Sequence, residues 1–152
     1  MQSAPMQTAP VQTADQRAAA ITRAVHEQCA GTSGIERAVL LSAGGLVLCT
    51  DAATDKEDAE RLAALAASLM SLTKAASHAY DSGWVAAAVI TMRDHHLCMA
   101  PVDEQTSLVV LADAALDTGR VTYATAVLAA EVAPLLDDSA RDHLGRFFLL
   151  PG

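Results

Sequence analysis

Five short apolar runs, most of them joined by short polar connections, restrict the fold more than any other feature of this sequence. They cover residues 38–41, 46–49, 84–92, 97–102 and 107–112. Three of the four connections have only four residues, and the first, Ser42-Ala43-Gly44-Gly45, supplies the glycines that a tight turn requires. Parallel strands need crossovers of about a dozen residues or more. The sequence therefore predicts an α+β fold with a single five-stranded antiparallel sheet and helices on its faces.

Apolar residues at helical spacing predict three longer helices and a short one. The four cover residues 15–30, 56–78, 121–136 and 139–146. Asp15 is expected to cap the first, and Thr54 or Asp55 the second, because short polar side chains accept hydrogen bonds from free N–H groups at a helix start. Pro134 is expected to bend or end the third. The predicted order is α-β-β-α-β-β-β-α, followed by the short helix.

The two ends of the chain differ in composition from the part between them. Residues 1–14 repeat a Pro/Gln/Ala-rich unit and carry almost nothing to bury, which predicts disorder, with a short docking peptide as the alternative. Residues 15–136 are predicted to form one domain, and residues 137–152 a C-terminal tail with a short amphipathic helix. The apolar residues of the tail share one helical face and are Ala140, Leu144, Phe147 and Phe148. We expect this face to fold back over the same domain or a second copy; a peptide for another partner is the alternative.

Composition argues against several classes of function. With 10 basic and 18 acidic residues the net charge is -8, which predicts binding neither to nucleic acid nor to an anionic membrane. The longest uncharged apolar run is too short to cross a bilayer. An N-terminus without a basic and apolar leader, and three widely spaced cysteines, predict a reduced chain in the cytoplasm.

Motifs that carry chemistry are missing from the sequence. No phosphate-binding loop, dinucleotide fingerprint or nucleophile elbow is present. His95, His96 and Cys98 form one group of potential metal ligands, but adjacent residues of a strand point to opposite faces, so the two histidines are not expected to converge. Asp137 and Asp138 are better explained as charges at a helix start. We therefore expect no catalytic residue, no cofactor and no metal site, and a chain that is not an enzyme.

The long helix at 56–78 has two apolar stripes, which predict two neighbours. Large residues form the first stripe: Leu62, Leu65, Leu69, Leu72 and Ala76. Smaller residues form most of the second: Ala59, Ala63, Ala66, Met70 and Thr73. We expect the large residues to fill the space above the chain's own sheet. Small residues permit close approach of another helix, so the second stripe is predicted to pack against the same helix of a second copy.

The run Trp84–Met92 supports self-association independently. It has no charge and no proline, and a free edge of this kind is a template for pairing with another chain. We therefore predict a homodimer with a continuous sheet, in which the strand contributes Trp84, Ala86, Ala88 and Ile90 to the interface. The alternative is a central strand, covered within one chain.

The third face of the long helix is charged at its start and carries small uncharged residues in its middle. Such a face permits a protein partner to lie flat on it, although the abundance of Ala and Ser in this chain explains the composition equally well. It is a candidate docking surface.

Four stretches of the sequence resemble the Roadblock (dynein light-chain) domain family in its bacterial form. They are GIERAVLLSAGGLVL at 34–48, DKEDAERLAALAASLMSL at 55–72, TSLVVLAD at 106–113 and DTGRVTYATAVLAAEV at 117–132. The resemblance implies a five-stranded antiparallel sheet with the long helix on one face and the terminal helices on the other. It also implies a homodimer built from the long helix and the middle strand.

The resemblance further implies a cytoplasmic, non-enzymatic regulator that binds a small Ras-like GTPase, with a sensor kinase or other operon-encoded proteins as further partners. The paired long helices form much of the GTPase-binding surface in that family. Carried to this chain, the implied contact residues are Glu60, Arg61, Ala64, Ser68 and Ser71. A structural adaptor without effect on GTP turnover, and a small-molecule sensor with an enclosed apolar pocket, are the alternatives.

Two positions depart from the pattern of the family. Gly44 stands where the hairpin usually has an acidic residue, so any role of that side chain is lost. Pro101 falls in a run that the family makes an internal strand, and we expect it at the end of that strand.

Overall fold

Five antiparallel strands form one sheet in the spatial order β2-β1-β5-β4-β3 in the computed structural model of the chain, which describes residues 12–149. The strands are β1 Ile35–Ser42, β2 Val47–Thr50, β3 Ala88–Thr91, β4 His95–Asp103 and β5 Thr106–Asp113. The helices are α1 Ala14–Gly31, α2 Lys56–Ala79, α3 Thr118–Val132 and α4 Asp138–Leu149, with a 3-10 turn at Ala133–Leu135. The predicted fold class and element order are confirmed.

Capping residues explain where the first two helices begin. The Asp55 carboxylate accepts the backbone N–H of Asp58 at 2.8 Å, which confirms it as the cap of α2. The cap of α1 is Thr13 and not Asp15: the Thr13 hydroxyl accepts the N–H of Gln16, and the Gln16 side chain accepts the N–H of Thr13 at 2.9 Å. This reciprocal pair satisfies two free N–H groups, where Asp15 would satisfy one. Most of the segment predicted to be disordered, residues 1–11, lies outside the described residues.

The sheet has a helical layer on each face, as predicted. On one face α1, α3 and α4 bury a core that includes Ile21, Val25 and Leu128. On the other face α2 packs over Val39, Leu41 and neighbouring strand residues. The pleat sends successive side chains of β1 to opposite sides, which is why consecutive buried residues of that strand belong to different layers.

The two stripes of α2 are the reverse of the prediction. Ala59, Ala63, Ala66 and Met70 are buried against the chain's own sheet, and Thr73 beside them is half-buried. Leu62 is also buried, but the other members of the leucine stripe are half-buried or exposed. The physical reason lies in the sheet. Its α2-facing strand residues are themselves large (Val39, Leu41, Val47, Leu97, Met99 and Val109), so the helix contributes small residues and lies close.

The β1–β2 hairpin also approaches α2 closely. Gly45 has φ of +85°, and a Cβ at this position would lie 3.3 Å from the Cβ of Ala67. The positive φ favours glycine, and the close approach to Ala67 leaves little room for a Cβ. The predicted tight turn is confirmed.

β3 is shorter than the predicted strand, and Pro101 explains why. Met92 donates its N–H to the carbonyl of His95 at 2.8 Å, so these two residues form a hydrogen-bonded pair. Such pairs recur at every second residue of an antiparallel ladder. Ala88 therefore belongs to a hydrogen-bonded pair, and Ala86 would belong to the next one. The register would set Ala86 opposite Pro101, which has no N–H to donate. The ladder ends at Ala88, and the four preceding residues are not part of a strand.

The same geometry explains how a proline fits inside β4. Pro101 lies two residues before the end of this strand and pairs with Ser107 of β5. Its missing N–H faces the β3 side, so the pairing with β5 loses no hydrogen bond. The proline is thus near the strand end, as expected, although it is not terminal.

The C-terminal helix α4 crosses the β2 edge of the sheet. Ala140 and Leu144 are buried in the layer with α1, while Phe148 packs into the layer with α2 on the other face. The expectation that the tail folds back over its own domain is confirmed up to Leu149. The expectation is wrong for Phe147. This residue is 73% exposed, because the helix turns it away from the sheet.

A buried carboxylate joins β2 to α2. Asp51 accepts the backbone N–H groups of Ala38 at 3.0 Å and Ala53 at 3.1 Å, and the hydroxyl of Thr54 at 2.7 Å. Its own N–H donates to the Ala38 carbonyl at 3.0 Å. This cluster fixes the path of the chain from the end of β2 to the start of α2.

Candidate functional site

Within residues 12–149, the backbone groups on the outer edge of β3 have no partner strand. The N–H and C=O groups of Ala88 and Ile90 face β4, since these residues fall at the hydrogen-bonded positions of the ladder. Those of Val89 and Thr91 therefore point away from the sheet. The strand order puts β3 at one end of the sheet, so the alternative of a central strand is wrong within the described chain.

A leucine face on α2, formed by Leu65, Leu69 and Leu72, turns toward the same edge. Leu65 is 55% and Leu72 68% exposed, and Leu69 is half-buried. The opposite flank of α2 lies over the β2 end of the sheet, where Ala67 meets the β1–β2 hairpin. Because β2 and β3 are at opposite ends of the sheet, the leucine face lies on the β3 side.

The residues predicted for a dimer interface are divided by this geometry. Ala59, Ala63, Ala66 and Met70 are wrong, because they are buried in the core of their own chain. Thr73 is half-buried, and its hydroxyl donates to the Met70 carbonyl at 2.8 Å. The strand residues have a different status: Trp84 and Ala86 are exposed, and Ala88 and Ile90 are half-buried. Leu65 and Leu72, which the sequence analysis assigned to the stripe above the chain's own sheet, are exposed instead.

The outer face of α2 is exposed along its length. All five residues that the family resemblance implied for partner contact lie on it: Glu60, Arg61, Ala64, Ser68 and Ser71. Its first turns are charged, and Arg61 lies 3.6 Å from Glu57 and 3.7 Å from Asp58. Asp58 also forms an ion pair with Arg37 of β1, which ties this end of the helix to the sheet. Farther along the helix, the Ser68 hydroxyl donates to the Ala64 carbonyl at 3.2 Å, so the surface there consists of short side chains without charge.

Titratable groups do not converge on a catalytic or metal-binding arrangement within residues 12–149. His95 pairs with Glu36 at 2.9 Å, whereas His96 is buried and its Nε2 lies 3.1 Å from the Ala114 carbonyl, so the adjacent histidines diverge as predicted. No group of three potential metal ligands occurs in this part of the chain. Burial raises the pKa of Cys49 to about 11 and that of Cys29 to about 12, which makes them poor nucleophiles at neutral pH.

Two surface clefts flank α4. One, of about 720 Å³, lies between α4 and the β1–β2 hairpin and includes Glu60 and Arg141 in its lining. The other, of about 670 Å³, lies between α4 and α1 and includes His26 and Phe147 in its lining.

Among residues 12–149, no helix has the length and apolar character needed to cross a membrane.

Comparisons with known proteins identify the fold. The family model described as the Roadblock/LC7 domain matches residues 21–112. A Roadblock/LC7 domain from Streptomyces avermitilis is 30% identical, with a TM-score of 0.70 over 74% of this chain and 94% of that one. Comparison with curated proteins gave no match.

More distant structures share the fold. MglB of Myxococcus xanthus is 16% identical, with a TM-score of 0.69 over 76% of this chain and 93% of that chain. A structure described as MglB with a tetrameric arrangement is 20% identical, with a TM-score of 0.70 over 88% of this chain and 97% of that chain. The family-model match over residues 21–112 and the 30% identical Streptomyces avermitilis domain show that the chain belongs to the Roadblock/LC7 domain family.

Proposed function

We propose that this chain is a dimeric regulatory scaffold that binds a small Ras-like GTPase and modulates its nucleotide cycle. The observation that carries the proposal is the position of the outer face of α2. This exposed face, with its uncharged middle, lies next to the leucine face, which turns toward the free β3 edge. Self-association through the leucine face and the β3 edge would bring the outer faces of two α2 helices together as one platform.

Self-association is supported by complementary features of the two surfaces. A two-fold axis beside β3 would pair Val89 and Thr91 with the same strand of a second copy, and so satisfy their free backbone groups. The two α2 helices would then run antiparallel. Leu65 of one copy would lie near Leu72 of the other, with Leu69 between them. The tetrameric arrangement named for one MglB structure is a property of that protein, and it supports the proposal that this fold self-associates.

The GTPase assignment is supported by family membership and by the character of the platform. Charged groups at its ends, including Glu57 and Arg61, suit pairing with a partner, and the small residues between them suit close contact. In this proposal the GTPase retains its own catalytic chemistry, and the scaffold biases the conformations of its switch loops. Arg61 is a contact residue here, without a role in the hydrolysis step.

Self-association is tested by sedimentation of the wild type and two variants. Val89→Pro removes an N–H that points away from β4, so the chain's own ladder is kept. Leu72→Lys puts a charge on the leucine face. We expect both variants to be monomeric with helical content unchanged by circular dichroism. If they sediment as the wild-type dimer does, the proposed interface is wrong.

Partner binding is tested by affinity capture from bacterial lysate in the presence of a non-hydrolysable GTP analogue or GDP. A small GTPase retained preferentially in one nucleotide state would support the proposal, and its hydrolysis rate is then measured with and without this chain. Binding without an effect on nucleotide exchange or hydrolysis would favour the adaptor alternative. A sensor kinase or other operon-encoded protein captured with the GTPase would extend the set of partners.

A charge reversal tests the face itself. Arg61→Glu is expected to weaken GTPase binding while leaving the dimer intact. The matched control is Arg146→Glu, on the exposed side of α4, which is expected to bind as the wild type does. Equal affinities of both variants and the wild type would exclude the outer face of α2 as the binding surface.

A further inference from the structure

Two exposed side chains flank the free edge strand. Trp84, the single tryptophan of the chain, lies four residues before β3 and is 91% exposed. Arg93 lies two residues after β3, and its side chain is also 91% exposed. A large aromatic side chain left in water forfeits most of the stabilisation that its burial would provide. Its position beside an unpaired edge indicates a contact with whatever covers that edge.

The four residues 84–87 are available for such a contact. Pro101 cannot continue the ladder beyond Ala88, so this segment forms no strand pairing with β4. The segment is therefore held less firmly by its own chain than β3 is. Trp84 belongs to it, and the side chain can turn toward a second copy without breaking a hydrogen bond of the ladder.

Antiparallel pairing brings opposite flanks of β3 together. The outward groups of Val89 and Thr91 allow three two-fold registers, in which Val89 faces Val89, Val89 faces Thr91, or Thr91 faces Thr91. In the first register, Trp84 of one copy and Arg93 of the other are offset by one residue along the paired strands. The separation grows to three residues in the second register and to five in the third. A contact between these two side chains is therefore compatible with the first two registers and excludes the third.

We propose that Trp84 of one copy stacks on the Arg93 guanidinium of the other, at both ends of the paired β3 strands, and that this contact restricts the dimer to the first two registers. The inference rests on the self-association proposed above. Within one chain, Arg93 donates from Nε and one terminal nitrogen to the carboxylate of Asp94 at 3.3 and 3.1 Å. These bonds use the edge of the planar guanidinium and leave its face free to stack on an indole.

A double-mutant cycle on the dimer dissociation constant measures the contact directly. Each dimer contains two copies of the pair, and each exposed cation–π pair contributes a factor of about three, so Trp84→Ala or Arg93→Ala is expected to raise the dissociation constant about tenfold. The double variant is expected to be no weaker than the weaker single one. Arg93→Lys keeps the charge and should recover part of the loss. Arg146→Ala is the matched control for removal of an exposed arginine.

The single tryptophan gives an independent readout. We expect wild-type fluorescence to shift to shorter wavelength and to resist acrylamide quenching when the protein concentration rises through the dimer range, and Val89→Pro to abolish this change. A dimer whose tryptophan remains fully quenchable, or whose Trp84 and Arg93 effects are additive, would overturn this inference and leave the dimer standing. A wild type that stays monomeric at all concentrations would overturn the dimer and this contact together.

Discussion

Removing the buried carboxylate of Asp51 should destabilise the fold more than removing any exposed acidic cap. In Asp51→Ala the N–H of Ala38, a residue only 1% exposed, loses its acceptor, which costs about 1–3 kcal/mol because water does not reach it. Ala53 is exposed and Thr54 half-buried, so water replaces their lost bonds at a cost of about 0.5 kcal/mol each. The free energy of unfolding should therefore fall by about 2–4 kcal/mol, and the melting temperature by roughly 4–16 °C.

Urea unfolding followed by circular dichroism measures this loss. Wild type and variants must be compared at one protein concentration, since any self-association adds to apparent stability. The matched control is Asp55→Ala, which removes the same charge four residues away and loses only the exposed cap of α2, at a cost of about 1 kcal/mol. Asp51→Asn keeps one acceptor oxygen and should fall between the two. If Asp51→Ala loses no more than Asp55→Ala, the Asp51 cluster does not stabilise the β2–α2 connection as argued.

Three further outcomes follow from burial and backbone geometry. Met70→Ala should lower the free energy of unfolding by about 2–5 kcal/mol, because Met70 is buried. Leu72→Ala, made in the monomeric Val89→Pro background, should change it by less than about 0.5 kcal/mol, because Leu72 is exposed. Equal losses of both variants in urea unfolding would contradict the orientation of α2. Gly45→Ala should cost more than about 1 kcal/mol through its positive φ and the contact with Ala67. Cys49, with its pKa raised to about 11, should react with iodoacetamide at pH 8 only after unfolding; rapid labelling of the native chain would refute its burial.

Local signals in the sequence were sufficient for the element order and the fold class. Short polar connections specify antiparallel neighbours, and the Asp55 cap is readable from residue type alone. The orientation of α2 was not readable in this way. Periodicity shows that two apolar stripes exist, but which one faces the sheet depends on the volume that residues such as Leu41 and Met99 already fill.

Long-range pairing accounts for the other differences. The run around Trp84 has strand character, yet its length is limited by Pro101, which is far away in sequence and opposite it only in the folded sheet. Phe147 and Phe148 are adjacent and equally apolar, and only the path of α4 across the β2 edge decides which of them is buried. For the outer face of α2 the family resemblance supplied the residues, and their exposure is what the structure adds.

The path of α4 also bears on how large an assembly of this chain can become. A sheet with two open edges can add further copies at both ends and grow into a fibre. In the part of the chain that the structure describes, α4 lies across the β2 edge, with Ala140 on one side of the sheet and Phe148 on the other. Two copies joined at β3 would thus present a covered strand at each end. In that arrangement α4 would block pairing at both outer edges, and edge-to-edge growth would stop at a sheet of ten strands, twice the five strands of one copy.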